Sequence, residues 1–168
     1  SFVLREHGFT STALGFTAGF TGEAIEKGLQ EQGIKADFIR LKEGMSRINV
    51  KMKSDNETEI NGQGPNIPQD ALDQLFDKLD TLQEGDVLIL AGSIPNTLPE
   101  DVYEQIMAKL DGKGILIAVD ATKDLLLNVL KYHPFLIKPN NHELGEMFGV
   151  VLKTEEDITF YAKKLQEQ

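Results

Sequence analysis

The chain has 168 residues, with 17 Lys and Arg against 27 Asp and Glu and no cysteine. The formal charge of −10 argues against nucleic acid or an anionic membrane as partner, and the lack of cysteine excludes disulfides and thiolate zinc sites. No apolar run approaches the roughly 20 residues of a membrane span and no signal peptide is visible, so the expectation is a cytoplasmic protein.

Residues 1–7 have the character of the last turns of a helix, with Gly8 at its C′ position. This pattern, with no helix start of its own, leads to the expectation that the sequence opens in mid-element. Residues 11–16 are short, β-prone and apolar, which predicts a buried strand. A Gly/Thr-rich loop over 17–22 follows, in which Thr21 is the candidate cap of the next helix. That helix is expected to bury Ala24, Ile25 and Leu29 and to stop at Gly33. Phe16 and Phe20 flank the glycine loop and are assigned to the core rather than to a stacking platform. Residues 38–41 are a second strand.

The period then changes. Over 47–53 the sequence alternates, with Ile48, Val50 and Met52 on one side and polar residues on the other. Residues 54–56 are turn-like and 57–61 can return as a partner strand, with Lys51 and Lys53 opposed to Glu57 and Glu59. The pair is either a lid that leaves the main sheet or an antiparallel edge ribbon.

After a Gly/Pro loop over 62–68, Ala71, Leu72, Leu75, Phe76 and Leu79 mark an amphipathic helix. Residues 86–91 form an apolar strand that breaks at Gly92-Ser93-Ile94-Pro95. Thr97 and Glu100 have capping-box spacing, and Val102, Tyr103, Ile106, Met107 and Leu110 form the face of the helix they would open. Gly112 and Gly114 close it. Residues 115–119 are another apolar strand, ending in Asp120. Thr122 starts a short helix through Leu125, Leu126, Val129 and Leu130. A third strand, over 135–137, runs into Lys138-Pro-Asn-Asn-His-Glu143. Thr154 caps a last helix with Ile158, Tyr161, Ala162 and Leu165 inward.

Three consecutive units thus repeat strand, turn and helix, the pattern of a parallel sheet with crossover helices. In such sheets ligands bind beyond the carboxyl ends of the strands, so the turns at Gly92-Ser93, Asp120 and 138–143 are expected along one rim. Each has a functional and a plain reading. Gly92-Ser93 can admit a ligand to bare backbone or be an ordinary turn. Asp120 can hold magnesium through water or bond the following helix. Lys138 is a point charge suited to phosphate. Asn140 and Glu143 have the spacing of a capping box, and Glu143 also offers a hard oxygen to magnesium. Arg47 suits a phosphate beside a pocket, or is a solvated charge. His7, His133 and His142 lie at unrelated spacings that do not suggest a metal site. No Ser-His-Asp arrangement is visible.

Together these residues resemble the ribokinase-like, PfkB-type sugar kinases. The resemblance is carried by Thr12-Ala-Leu-Gly-Phe16, Gly19-Phe-Thr-Gly-Glu23, Arg47-Ile-Asn-Val-Lys51, Thr58-Glu-Ile-Asn-Gly62 and Gly64-Pro65. It continues in Ala91-Gly-Ser-Ile-Pro95, Val119-Asp120 and Lys138-Pro-Asn-Asn-His-Glu143. The lid segments look most like the bacterial 1-phosphofructokinase branch, with tagatose-6-phosphate kinases next. The implied fold is an incomplete three-layer α/β architecture, with a parallel sheet and crossover helices over 1–44 and 63–168 and a small β-lid hairpin over 45–62.

The implied reaction is phosphoryl transfer from ATP, with Mg2+, to fructose 1-phosphate. Arg47, Gly92 and Ser93 match substrate-binding positions, Lys138 and Asn140 the ATP phosphate region, and Glu143 and Asp120 the magnesium network. The implied partners are the phosphosugar, ATP and a second copy of the chain through the lid. The family's Gly-Gly-Lys-Gly-Asn segment and its Gly-Ala-Gly-Asp motif with the catalytic base have no counterpart in these 168 residues. The chain therefore matches a central segment, expected to transfer negligible phosphoryl on its own. A non-catalytic dimerisation or ligand-binding module is the alternative. A dehydrogenase is disfavoured because no Gly-x-Gly-x-x-Gly joins a strand to a helix.

Overall fold

The computed structural model describes residues 1–52, 58–92, 94–121 and 123–167. The chain divides into two compact units, Ser1–Leu79 and Asp80–Gln168. No helix among the described residues is long and apolar enough to cross a membrane.

In the first unit, helix α1 (Phe2–Glu6) ends before Gly8, whose φ of 80° matches the predicted stop. The strand expected over 11–16 is two short pieces, β1 (Thr12–Ala13) and β2 (Phe16–Ala18). Helix α2 (Gly19–Glu31) leads back to β3 (Lys35–Ala36) and β4 (Ile39–Leu41). Thr12 pairs with Lys35 and Phe16 with Ile39, both parallel and at the same offset, so the broken pieces follow one register. Strand, helix and parallel strand make a crossover unit.

Three expectations fail in α2: Phe20, assigned to the core, is 68% exposed, and two more concern the cap and buried face of the helix. Its N-cap is Ala18, not Thr21, which lies inside the helix. Its buried residues are Thr21, Gly22 and Glu26, whereas Ala24 and Ile25 are exposed and Leu29 is half-buried. A polar cluster explains the rotation. Thr17 and Arg40 face each other across the β2–β4 pair. The Thr17 hydroxyl donates to Glu26 Oε1 at 2.8 Å, and Arg40 Nε lies 3.0 Å from both carboxylate oxygens. The Glu26 side chain is only 10% exposed while that of Arg40 is 73% exposed. A buried carboxylate is costly unless it is paired and hydrogen-bonded, so Glu26 can turn inward only where these donors meet it.

Strands β5 (Asn49–Met52) and β6 (Thr58–Asn61) pair antiparallel, with Lys51 opposite Glu59 and their charged groups 2.5 Å apart. Lys53, Glu57 and the expected turn at 54–56 lie outside the described residues. Helix α3 (Gln69–Leu79) closes the unit and buries Ala71, Leu72 and Leu79.

The second unit contains β7 (Val87–Ala91), α4 (Val102–Leu110), β8 (Leu116–Asp120), α5 (Lys123–Val129), β9 (Leu136–Ile137), α6 (Asn141–Phe148) and α7 (Glu155–Gln166). The three strands form a parallel sheet in the order β7-β8-β9. The apolar runs of these strands are buried on alternate residues only. Leu90, Ile117 and Val119 join Ile106, Met107, Leu110, Leu126 and Val129 in the core. Val87, Ile89 and Leu136 stay more than half exposed on the other face.

The box expected at Thr97 does not open α4. Leu98 N–H bonds the Pro95 carbonyl and Val102 N–H the Pro99 carbonyl, so two turns intervene and Asp101 becomes the N-cap. Thr122 lies outside the described residues. Thr154 does cap α7, through a reciprocal box with Asp157.

The Arg40 guanidinium holds the Glu26 carboxyl below its ordinary range, and the Thr17 hydroxyl lowers it further against the opposing effect of burial. A carboxyl depressed on folding adds stability above its unfolded value and forfeits it as pH falls through the folded value. Glu26→Gln is therefore expected to lose about 1–2 kcal/mol at neutral pH, low in the range for charged hydrogen bonds because Arg40 stays in water. The variant's stability is also expected to vary less than the parent's as the pH falls below the carboxylate range. Urea unfolding across that window checks it. Identical acid limbs would show that Glu26 does not carry the effect.

Candidate functional site

The site is built at the carboxyl end of the β7-β8-β9 sheet. Ala91 is registered with Asp120 and Val119 with Ile137. The residues that end or follow these strands, Gly92, Asp120 and Lys138, therefore sit along one rim.

Gly92 has a φ of 97°, a left-handed conformation that side-chain-bearing residues rarely adopt. Its carbonyl accepts a hydrogen bond from the Tyr103 hydroxyl on α4 at 3.2 Å. Burial raises the Tyr103 pKa, and the Asp120 carboxylate raises it further. Both effects keep the phenol protonated, so it remains a donor that ties the turn after β7 to the helix behind it. Ser93 lies outside the described residues.

Asp120 and Lys138 meet across the ends of β8 and β9, with Nζ 3.2 Å from Oδ1. The side chains are 48% and 72% exposed. An exposed pair of this kind contributes little to stability, and lysine is a mobile point charge that can exchange one anionic partner for another.

Pro139 leads from β9 into α6, and Asn140 sits at the N-cap in extended conformation. The Asn140 side-chain oxygen accepts from the Glu143 N–H at 2.9 Å, and Glu143 Oε2 accepts from the Asn140 N–H at 2.8 Å. The capping reading of this stretch is thus realised. It does not consume either side chain. Among the described residues nothing bonds Glu143 Oε1 or the Asn140 amide nitrogen. A helix start leaves backbone N–H groups without intrahelical partners and carries the positive end of the helix dipole.

Asp120 and Lys138 are therefore brought together, and Asn140 and Glu143 are brought together. Arg47 belongs to the other unit, exposed and one residue beyond the buried Ser46. Among the described residues no group of three or more His, Cys, Asp or Glu side chains gathers around a possible metal position. Tyr103 was missed as a rim residue because, at helical spacing with Val102, Ile106 and Met107, it counts as one more apolar position. The only hint in the sequence is its hydroxyl, and nothing local says where that points.

A family model described as "pfkB family carbohydrate kinase" matches residues 1–168. The chain is 45% identical to the 1-phosphofructokinase of Bacillus subtilis, over 99% of its own length and 54% of that relative. It is 37% identical to the D-tagatose-1-phosphate kinase of Bacillus licheniformis, over 100% of its length and 55% of that relative. The crystal structure of Escherichia coli phosphofructokinase-2 in complex with fructose-6-phosphate superposes with a TM-score of 0.87 at 21% identity, over 98% of this chain and 55% of that one. At that identity the likeness is one of fold. The chain spans about half the length of these relatives.

The capping box makes a prediction of its own. Asn140→Ala is expected to destabilise the protein by about 0.5–2 kcal/mol. Glu143→Gln, which can still accept from the Asn140 N–H, should stay within roughly 0.5 kcal/mol of the parent. Chemical denaturation compares the two, and a larger loss for Glu143→Gln than for Asn140→Ala would contradict the cap geometry.

Proposed function

The chain belongs to the pfkB family of carbohydrate kinases, and on that premise we propose that the protein carrying it transfers the γ-phosphoryl group of ATP to fructose 1-phosphate, giving fructose 1,6-bisphosphate and ADP. The observation that carries the reading is the rim where Lys138 meets Asp120 across the ends of β8 and β9, two residues before the capped start of α6. Phosphoryl transfer asks the protein chiefly for positioning and charge neutralisation, and these groups suit both. The likeness to the Bacillus subtilis enzyme supports fructose 1-phosphate as acceptor. The Bacillus licheniformis relative supports a second ketose 1-phosphate, tagatose 1-phosphate, as the competing substrate.

In this reading Lys138 leaves Asp120 to meet the ATP phosphates, and the Asn140 amide and the start of α6 donate to them. Glu143 and Asp120 fit magnesium by donor chemistry, since both are carboxylates within reach of solvent and Glu143 has an oxygen outside the cap. Magnesium commonly keeps several waters and phosphate oxygens, so two carboxylates suffice as its protein ligands. When bound, magnesium supplies neutralisation of phosphate charge. Arg47 holds the sugar phosphate through its planar fork of donors, and Gly92 and Ser93 are assigned to the phosphosugar because they match the family's substrate-binding positions. No residue of this chain is assigned as the base. Use of ATP and magnesium supports a cytoplasmic setting.

The hairpin is read as a lid over the substrate. Its apolar face, Ile48, Val50, Met52 and Ile60, is 45–59% exposed, which favours burial against the hairpin of a second copy.

With the full-length protein, fructose 1-phosphate and MgATP should give fructose 1,6-bisphosphate with a kcat/KM at least about tenfold above that for tagatose 1-phosphate or tagatose 6-phosphate, a difference of about 1.4 kcal/mol. Arg47→Ala should raise the KM for the phosphosugar roughly 10- to 100-fold, the worth of a charged hydrogen bond, with the ATP KM unchanged. An unchanged sugar KM would remove Arg47 from the site. Ile60→Asp should shift the protein toward monomer in sedimentation velocity, and an unaltered dimer would place the interface elsewhere.

A further inference from the structure

We propose that Ser46 and Thr21 are positioning residues for the phosphosugar, acting through Arg47 by locking the chain one residue before it. The proposal rests on the reading of Arg47 as the sugar-phosphate ligand.

Every polar group of Ser46 is engaged by the corner between β2 and α2. Its N–H donates to the Ala18 carbonyl at 2.9 Å. Its hydroxyl oxygen accepts from the Ala18 N–H at 3.0 Å. Its carbonyl accepts from the Thr21 hydroxyl at 2.9 Å, and that hydroxyl also lies 3.4 Å from the Ala18 carbonyl. Both side chains are buried, at 9% exposure. Gly22 permits the approach, because a Cβ there would come within 2.9 Å of the Thr17 Cβ and 3.2 Å of Ser46 Oγ.

Immediately beyond Ser46 the burial ends. Residues 47–52 are all exposed. The next fixed point is Ile48, whose carbonyl accepts from the Gly62 N–H at 3.2 Å and ties the two legs of the hairpin at their base. Arg47 is therefore the single residue between a locked anchor and a projecting ribbon. A long flexible side chain loses affinity when its backbone can wander, because the ordering cost is then met at binding. Anchoring the preceding residue at its N–H, carbonyl and hydroxyl lowers that cost in advance.

The test uses the full-length kinase. Ser46→Ala and Thr21→Val each remove one anchoring bond. Each is expected to raise the KM for fructose 1-phosphate about 3- to 10-fold, with the MgATP KM unchanged. Thr21→Ser keeps the hydroxyl and should restore the parent KM. In an Arg47→Ala background, Ser46→Ala and Thr21→Val should add little further, since they act through the missing side chain. A general loss of folding would lower kcat through the active fraction and leave both KM values in place.

Additive effects on KM in the Arg47→Ala background, or a Thr21→Ser enzyme as impaired as Thr21→Val, would overturn the proposal. If Arg47→Ala itself leaves the sugar KM unchanged, the reading of Arg47 fails first. If Arg47→Ala raises it while Ser46→Ala and Thr21→Val do not, the anchor alone fails.

Discussion

The parallel register of β7, β8 and β9 is the constraint on which the candidate site depends. Once Ala91 faces Asp120 and Val119 faces Ile137, the turn after each strand must emerge at the same edge of the sheet. Gly92, Asp120 and Lys138 are separated by tens of residues in the chain, and none defines a site by itself. Their proximity follows from pairing alone. The short β9 matters for the same reason, because it ends just where Lys138 can reach Asp120.

Electrostatics at the rim runs against that of the whole molecule. The chain carries a formal charge of −10, yet an anionic ligand is the one proposed. Screening over about 8–10 Å makes local donors decisive. Lys138 and the start of α6 supply them, and the carboxylates of Asp120 and Glu143 are the groups that a divalent cation would turn from repulsive to useful. The exposure of the Asp120–Lys138 pair fits this role better than a structural one, since a solvated ion pair exchanges partners at low cost.

The first unit is organised by polar contacts where an apolar seam was expected. Glu26, Thr17 and Arg40 tie α2 to both paired strands, and Ser46 and Thr21 tie the start of the hairpin to the same corner. Buried hydrogen-bonded groups are directional, whereas apolar contacts are not. A corner held this way can fix the direction in which the hairpin leaves, which two apolar faces could not do as sharply.

Much of this was legible in the residues themselves. Apolar runs ending in glycine or a polar turn marked the strands, period 3.6 marked the helices, and period 2 marked the hairpin with Lys51 opposite Glu59. The box at Asn140 and the cap at Thr154 could be read because a cap is made within four residues of chain. The Thr97 box failed because the prolines at 95 and 99 support turns of their own. The inward turn of Glu26, the lock on Ser46 and the reach of Tyr103 to Gly92 could not be read at all. Each bond joins residues 9 to 28 positions apart. Local patterns record what a stretch prefers by itself, and only the folded chain decides which distant donor a buried acceptor finds.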